Sequence, residues 1–273
     1  MKLTDTEFRQ LADFIKRYYG ISLKDEKKTL IETRLSDMLL KRGIPSFSDL
    51  YSMLLEEQND ELRREVETRI TTNYTYFMRE TDTFAFFESE ILPWIESICP
   101  EKSLRIWSAG CSSGEEPYNI AMIIADYFSN KDRSWDKQIL ASDISEKVLI
   151  SAKLGIYAAD KIQSLPPHWK SLYLQKYDDN NYIFKESIKK EIMFKKFNLM
   201  SPVFPFRKKF HTIFCRNVMI YFDEPTRNEI INKYVNNLEV GGYLLIGKTE
   251  SIDRKVHNNL DYVKPGIYRK REG

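Results

Sequence analysis

Apolar positions at the start of the chain recur at helical spacing. Thr4 and Glu7 form a T-x-x-E capping box, and Phe8, Leu11, Ala12, Ile15, Tyr18 and Tyr19 follow until Gly20 stops the run. A second helix fits residues 25–42, with Ile31, Leu35 and Met38 on one face and Gly43 at its end. A third begins near Ser46–Ser48, and a fourth covers residues 60–71. No segment here alternates like a strand, so residues 1–72 read as an all-α N-terminal domain. TTNYTYFMRE breaks the pattern, and FAFFESEILPWIESI resumes a helix as far as Pro100; residues 73–100 read as a linker and linking helix.

From Leu104 the rhythm becomes strand, loop, helix. LRIW, KQILAS, HTIFCRNV and YLLIG are strand-like, while EPYNIAMIIADYF, SEKVLISAKLGI and EPTRNEIINKYVNNL are helix-like. This alternation predicts an α/β domain over residues 101–273, with a parallel sheet covered by helices on both faces. Residues 164–197 interrupt it: SLPPHWKSLYLQKY, the turn-like DDNN, YIFKES and EIMFKKF read as a hairpin-rich insert, its β-subdomain at about 172–197.

Composition narrows the class without naming a chemistry. The 273 residues are 42% hydrophobic and 30% charged, as in an ordinary soluble domain, and a formal charge of +2 gives no global affinity for polyanions. Cys99, Cys111 and Cys215 form no CxxC pair and have no metal-ligand spacing, which suits reduced thiols in a cytoplasmic compartment and no metal. MKLTDTEFRQ lacks an apolar signal core, and the greasiest stretch, IAMIIADYF, is short and broken by Asp126, so neither secretion nor membrane insertion is expected.

The candidate chemistry begins at SAGCSSGEEPYNIAM. Gly110 and Gly114 suit a tight strand-to-helix turn, but neither the G-x-G-x-x-G fingerprint nor the G-x-x-x-x-G-K-[ST] loop is present. Glu115 and Glu116 stand at the helix start, where a bound pyrophosphate would sit and would be repelled. One or both could merely complement the helix dipole. As ligand contacts they fit a nucleoside that carries positive charge and no phosphate, and S-adenosylmethionine is such a molecule. Asp143 ends the next strand, where an α/β sheet holds ligands, and can accept from both ribose hydroxyls; its other reading is a cap for the following helix, a role open also to Ser145.

These segments, with IFCRNVMIYF, resemble the chemotaxis receptor glutamate methyltransferases, the CheR family, and TNYTYFMRE resembles that family's T-N-x-T-x-F-F-R-E segment. The motifs stand in the family's order over nearly the whole chain. The resemblance implies a Rossmann-like S-adenosylmethionine-dependent methyltransferase domain with a small β-subdomain insert, preceded by an all-α receptor-docking domain. It implies that Asn73, Thr75 and Arg79 line the cofactor pocket, with Arg79 near the transferred methyl group; Met78 replaces the second Phe of the motif. It assigns Glu116 to cofactor contact, Asp143 to the ribose, Asn198 and Leu199 to the adenine, and Arg216 and Asn217 to the end of the fourth strand. Tyr221 is placed by the reacting centre, so Arg79 and Tyr221 are the expected catalytic pair. His211, where the family often has Asp, reads as a surface residue rather than a base.

The implied reaction gives a glutamate methyl ester and S-adenosylhomocysteine. A glutamate with a pKa near roughly 4.3 is already ionised at neutral pH, so no general base is required. The implied partners are the cytoplasmic helices of chemoreceptors, in the cytoplasm or recruited to receptor arrays. Lys27, Arg34 and Lys41 recur at seven-residue spacing opposite the apolar face of the second helix, and the resemblance makes them receptor-docking residues rather than a solvated face. Some family members grip a C-terminal pentapeptide tether with the insert and a glycine-rich loop; residues 172–197 contain no glycine, which favours an enzyme that does not need the tether. Two other readings compete: an adaptor that binds the cofactor without catalysis, and a nucleic-acid methyltransferase. RNVMIYF stands where base methylation uses N/D-P-P-Y/F, which argues against nucleic acid.

Overall fold

The computed structural model describes residues 1–56, 58–131 and 134–272. The N-terminal part is four helices: α1 (Asp5–Tyr19), α2 (Lys28–Arg42), α3 (Phe47–Leu55) and α4 (Asp60–Ile70). The Thr4–Glu7 capping box opens α1, and Gly20, left-handed at φ 77°, closes it. Leu11, Ile15, Leu35, Met38, Leu50, Leu54 and Val66 form the shared core. Lys27 falls in a 3-10 turn, Asp25–Lys27, one step before α2 rather than within it. Residues 71–80 are irregular, and a helical run follows as α5 (Thr81–Phe86), a π-helical turn (Phe87–Ile91) and α6 (Leu92–Ile98).

The second part alternates as its sequence predicts: β1 (Ile106–Ala109), α7 (Glu115–Tyr127), β2 (Ile139–Asp143), α8 (Glu146–Leu154), β3 (Ile156–Ala158), α9 (Pro167–Tyr173), β4 (Leu174–Lys176), β5 (Asn181–Phe184), α10 (Glu186–Lys189), β6 (Ile192–Lys196), β7 (Phe210–Cys215), α11 (Glu224–Asn237), β8 (Leu238–Ile246), β9 (Leu260–Lys264) and β10 (Ile267–Lys270). The main sheet runs β6-β2-β1-β7-β8-β10-β9. Its first five strands are parallel, and β10 and β9 close it as an antiparallel hairpin. The chain winds from β1 through β2 to β6, then returns to β7 on the other side of β1. That reversal opens a crevice beyond the carboxyl ends of β1 and β7, where such sheets hold ligands.

Four sequence expectations are corrected. EIMFKKF is not part of the insert: β6 pairs in parallel with β2, Ile192 opposite Ile139, and its alternating burial is that of a sheet edge rather than of a hairpin. The separate three-stranded sheet is β3-β5-β4, so it lies between Ile156 and Phe184. The C-terminal hairpin β9–β10 makes the sheet mixed rather than wholly parallel. His211 is not at the surface but 1% exposed within β7, where Nδ1 accepts the Arg105 backbone N–H at 3.3 Å and Nε2 lies 2.8 Å from the Arg105 guanidinium. Burial and the Arg105 charge lower its pKa to about 4. It stands beside the segment leading into β1, away from the crevice.

Candidate active site

The crevice is a cavity of about 540 Å³ walled by both parts of the chain. Its floor is the turn from β1 to α7. Gly110 (φ 80°) and Gly114 (φ 99°) are both left-handed, and a Cβ on Gly110 would lie 2.5 Å from Val218 Cγ2. The Gly110 and Cys111 N–H groups both donate to the Ser142 carbonyl, at 2.8 and 2.9 Å, which locks the ends of β1 and β2 together. Ser112 joins three segments: its N–H donates to Asp143 Oδ2 at 2.8 Å and its hydroxyl to the Asn73 carbonyl at 3.0 Å.

The two glutamates of the turn part company. Glu115 is fully buried away from the cavity, Oε2 accepting from the Ser113 hydroxyl at 2.7 Å and Oε1 lying 3.8 Å from Lys161 Nζ. Glu116 lines the cavity, Oε1 accepting from Ser108 at 2.8 Å and Oε2 from Arg216 Nη1 at 3.2 Å. Burial raises its pKa, against the pull of Arg216 and Ser108. Arg216 is itself buried, its side chain 2% exposed. It also pairs with Glu80 at 3.1 Å, donates to the Arg79 carbonyl and lies 5.0 Å from the Phe84 ring centroid. One guanidinium therefore holds two carboxylates, leaving this cluster net negative and suited to a cationic ligand.

Asp143 lines the same cavity and is 7% exposed. Each oxygen accepts one backbone N–H, Ser112 at 2.8 Å and Ser145 at 2.9 Å, so its bonds fix the loops on either side of it and do not reach the first turn of α8. An ionised carboxylate has about four acceptor sites, which leaves capacity for two hydroxyls. Thr75, Asn198, Leu199 and Asn217 also border the cavity. The Asn198 amide is committed, Nδ2 donating to the Tyr18 carbonyl at 2.7 Å and Oδ1 accepting the Met200 N–H at 2.9 Å. Asn217 sits at φ 58°, its N–H donating to buried Glu250 at 2.9 Å.

Two family models match the chain: the CheR methyltransferase all-alpha domain over residues 6–70, and the CheR methyltransferase SAM binding domain over residues 73–267. The chain belongs to the CheR family. It is 44% identical over 273 residues to the chemotaxis protein methyltransferase of Borreliella burgdorferi, covering 99% of this chain and 96% of that one. Those of Vibrio parahaemolyticus and Vibrio anguillarum are 34% and 33% identical over 252 residues, covering 92% of this chain and 90% of each. As a CheR protein it is an S-adenosylmethionine-dependent methyltransferase of chemotaxis, with a Rossmann-like catalytic domain behind an all-α one. The cavity fits that cofactor: it offers a cluster of excess negative charge at Glu116, an acceptor pair at Asp143, and apolar walls at Ile31, Phe197 and Leu199. No helix among the described residues is long and apolar enough to cross a membrane.

The remaining motif residues of this CheR chain meet around the cavity mouth. Arg79 has no carboxylate within ion-pair distance among the described residues: Glu80 pairs with Arg216, and Asp82 with Lys248 at 2.5 Å. Its guanidinium instead donates to the Tyr74 carbonyl at 3.1 Å and lies 5.7 Å from the Tyr76 ring. The Tyr221 hydroxyl donates to the Thr72 carbonyl at 3.1 Å, and burial raises its pKa against the pull of Arg79 and Arg34. The basic stripe is not uniform. Lys27 is exposed and borders the cavity, and Lys41, 69% exposed, pairs with Asp37 at 2.9 Å. Arg34 turns inward, Nη1 donating to the Ile70 carbonyl at 2.8 Å and Nη2 to Thr72 Oγ1 at 3.2 Å.

Three functional positions escape sequence reasoning. Glu80 carries the shared ion cluster. Glu250 gathers the N–H groups of Asn217, Ile220 and Gly247, fixing the loop after β7. Asn119, one turn after Glu116, is fully buried beside the cavity with neither amide atom hydrogen-bonded. Its i+3 spacing from Glu116 was the available signal.

Proposed function

We propose that the enzyme methylates side-chain carboxylates of glutamates on the cytoplasmic helices of chemoreceptors, and that it does so by positioning rather than by acid–base catalysis. The observation that carries this reading is Arg79, a cation free of carboxylate partners among the described residues, in the cavity that also holds Glu116 and Asp143. When bound, S-adenosylmethionine supplies an electrophilic methyl group, and the carboxylate that accepts it becomes a methyl ester with S-adenosylhomocysteine left behind. Glu116 and Asp143 would hold the cofactor, with Asn73, Thr75, Asn198, Leu199, Arg216 and Asn217 completing its walls. The substrate carboxylate is already ionised, so no residue has to remove a proton. Arg79 holds that carboxylate loosely enough not to deepen the ground state. Tyr221 anchors Thr72, and with it the loop carrying Asn73, Thr75 and Arg79. Alignment of this kind is worth on the order of 7–11 kcal/mol.

Lys27 and Lys41 would contribute long-range attraction to an acidic receptor surface, an effect that salt weakens. The small sheet, still without glycine in β4 and β5, supports tether-independent action. The enzyme would work in the cytoplasm, against receptor arrays. The test is incubation with methyl-labelled cofactor and a receptor cytoplasmic fragment. Label released by base as methanol supports a carboxyl ester, and stable label or no transfer refutes it. Arg79→Ala should slow transfer by about 100-fold with cofactor affinity unchanged; full transfer in that variant removes Arg79 from its role.

A further inference from the structure

The cofactor brings a problem of charge into the cavity. Its methionine end carries a carboxylate beside the ammonium, and the cavity already holds the carboxylates of Glu116 and Asp143. The ammonium suits Glu116. The carboxylate needs buried N–H donors that are not already engaged. Most amide and guanidinium donors bordering the cavity are committed: Arg34 to the Ile70 carbonyl and Thr72, Asn73 to Thr71 Oγ1 at 3.3 Å, Asn198 to the Tyr18 carbonyl, and Asn217 to Glu80 at 3.5 Å. Arg79 donates to the Tyr74 carbonyl and is the cation proposed for the substrate.

Two donors remain. Asn119 is fully buried on α7, and neither its Nδ2 nor its Oδ1 meets a partner among the described residues. Arg216 engages Glu116, Glu80 and the Arg79 carbonyl through its terminal nitrogens, while its Nε is buried and unpartnered. Both residues border the cavity beside Glu116: Arg216 bonds Glu116 Oε2, and Asn119 follows Glu116 by three positions, on the same face of α7. A buried amide with both ends unmet destabilises a fold unless a ligand meets them. An α-amino acid does so: its carboxylate accepts from two donors, and its ammonium donates to Asn119 Oδ1 as well as to Glu116. Ribose and adenine have their own walls at Asp143 and at Phe197 and Leu199, which leaves the amino-acid end for α7. We infer, on the cofactor placement proposed above, that Asn119 and Arg216 Nε hold the cofactor's α-carboxylate, and that Asn119 makes the site select ligands that keep the amino-acid end.

Calorimetric titration of the full chain with two ligands separates this role from simple packing. S-adenosylhomocysteine carries the amino-acid end, and 5′-methylthioadenosine keeps the nucleoside and lacks that end. Asn119→Leu should weaken the first about 10- to 100-fold, the worth of one or two hydrogen bonds to a charged group, and change the second by less than about twofold. Asn119→Ala, which cannot crowd the site, should give the same pattern. An equal loss on both ligands in the alanine variant, or no loss on S-adenosylhomocysteine in either variant, overturns the inference and leaves the cofactor placement intact. Asp143→Asn tests that placement separately: it should weaken both ligands, since both carry the ribose. If it changes neither, the placement falls and this inference with it.

Discussion

Replacing Arg216 with Met tests the ion cluster beneath the cavity. The guanidinium is almost wholly buried and bonds Glu116 at 3.2 Å and Glu80 at 3.1 Å, while both carboxylates are themselves largely shielded, at 14% and 16% exposure. At an effective dielectric of about 20, each pair is worth about 4 kcal/mol of attraction at a 4 Å charge separation. Part of that merely offsets the cost of burying the charges. Removing the cation leaves two carboxylates unpaired and repelling each other, for which a loss of about 3–5 kcal/mol is expected. Methionine fills most of the volume of the arginine stem, so the loss reports chiefly the charge, including the guanidinium's contact with the Phe84 ring.

The pH dependence distinguishes this account from simple misfit. Burial already raises the Glu116 pKa above its ordinary 4.5, with Arg216 opposing it. Without Arg216 the value climbs further. A carboxylate whose folded pKa is raised contributes its stability fully below the unfolded value and loses it as pH rises through the folded one. The deficit of Arg216→Met should therefore grow between about pH 5 and pH 8, and adding Glu80→Gln should recover part of it. Urea unfolding followed by circular dichroism at the two pH values measures both effects. A deficit below about 1 kcal/mol at pH 8, or one equal at both pH values, would refute the reasoning.

Other substitutions test separate parts of the site. Glu67, buried on α4 with Oε1 unpartnered, is pushed up to about 7 by burial, with Asp143 and Glu146 adding to the rise and Lys196 opposing it. Its stabilising contribution is full below 4.5 and fades as pH rises through about 7, so Glu67→Gln should flatten the stability–pH profile by about 3 kcal/mol; an unchanged profile counts against this. Asn119→Leu should hold or raise ligand-free stability, since a buried unsatisfied amide costs about 1–3 kcal/mol, while weakening cofactor binding measured by calorimetry. Equal affinity in that variant would show that the cofactor leaves this amide untouched. Gly110→Ala should cost about 1–3 kcal/mol and cofactor affinity with it, since φ 80° strains any side chain and Cβ meets Val218 at 2.5 Å. Val218→Ala should relieve the steric share alone.

Local chemistry was legible in the sequence, and long-range partnership was not. Glu116 and Asp143 stand at strand and helix ends that periodicity locates, so their place at the carboxyl ends of β1 and β2 followed from residues within a few positions of them. The Glu80–Arg216–Glu116 cluster joins residues 136 and 100 positions apart, and nothing in either neighbourhood marks the pairing. Arg34 shows the limit of helical spacing. A seven-residue recurrence groups it with Lys27 and Lys41, but cannot reveal that Lys27 precedes α2 or that the chain leaving α4 passes over that face and takes the Arg34 guanidinium. β6 misled for a related reason: Ile192 and Phe194 are buried and Met193 is not, a half-buried alternation shared by hairpin strands and the edge of a parallel sheet.

The meeting of the two parts of the chain explains why a helical domain should accompany this catalytic one. Gly20 ends α1 where a Cβ would lie 2.6 Å from Met200 Sδ and 2.8 Å from Phe222 Cε1, so only glycine allows the approach. Around that contact the Ser22 N–H donates to the Tyr221 carbonyl at 2.8 Å, Asn198 reaches the Tyr18 carbonyl, and Lys16 pairs with Asp223 at 2.6 Å. These bonds fall on the same short loops that carry Tyr221 and the Asn198–Leu199 wall. The contacts that dock the helices thus also fix the loops that wall the cavity, and a ligand touching both parts would stabilise the docked arrangement by mass action. Arg79 lies in the segment strung between them, held at one end by Arg34 and Tyr221 and at the other by Arg216. A segment bound across α2 and that stretch would meet the Arg79 guanidinium only when both domains are in place.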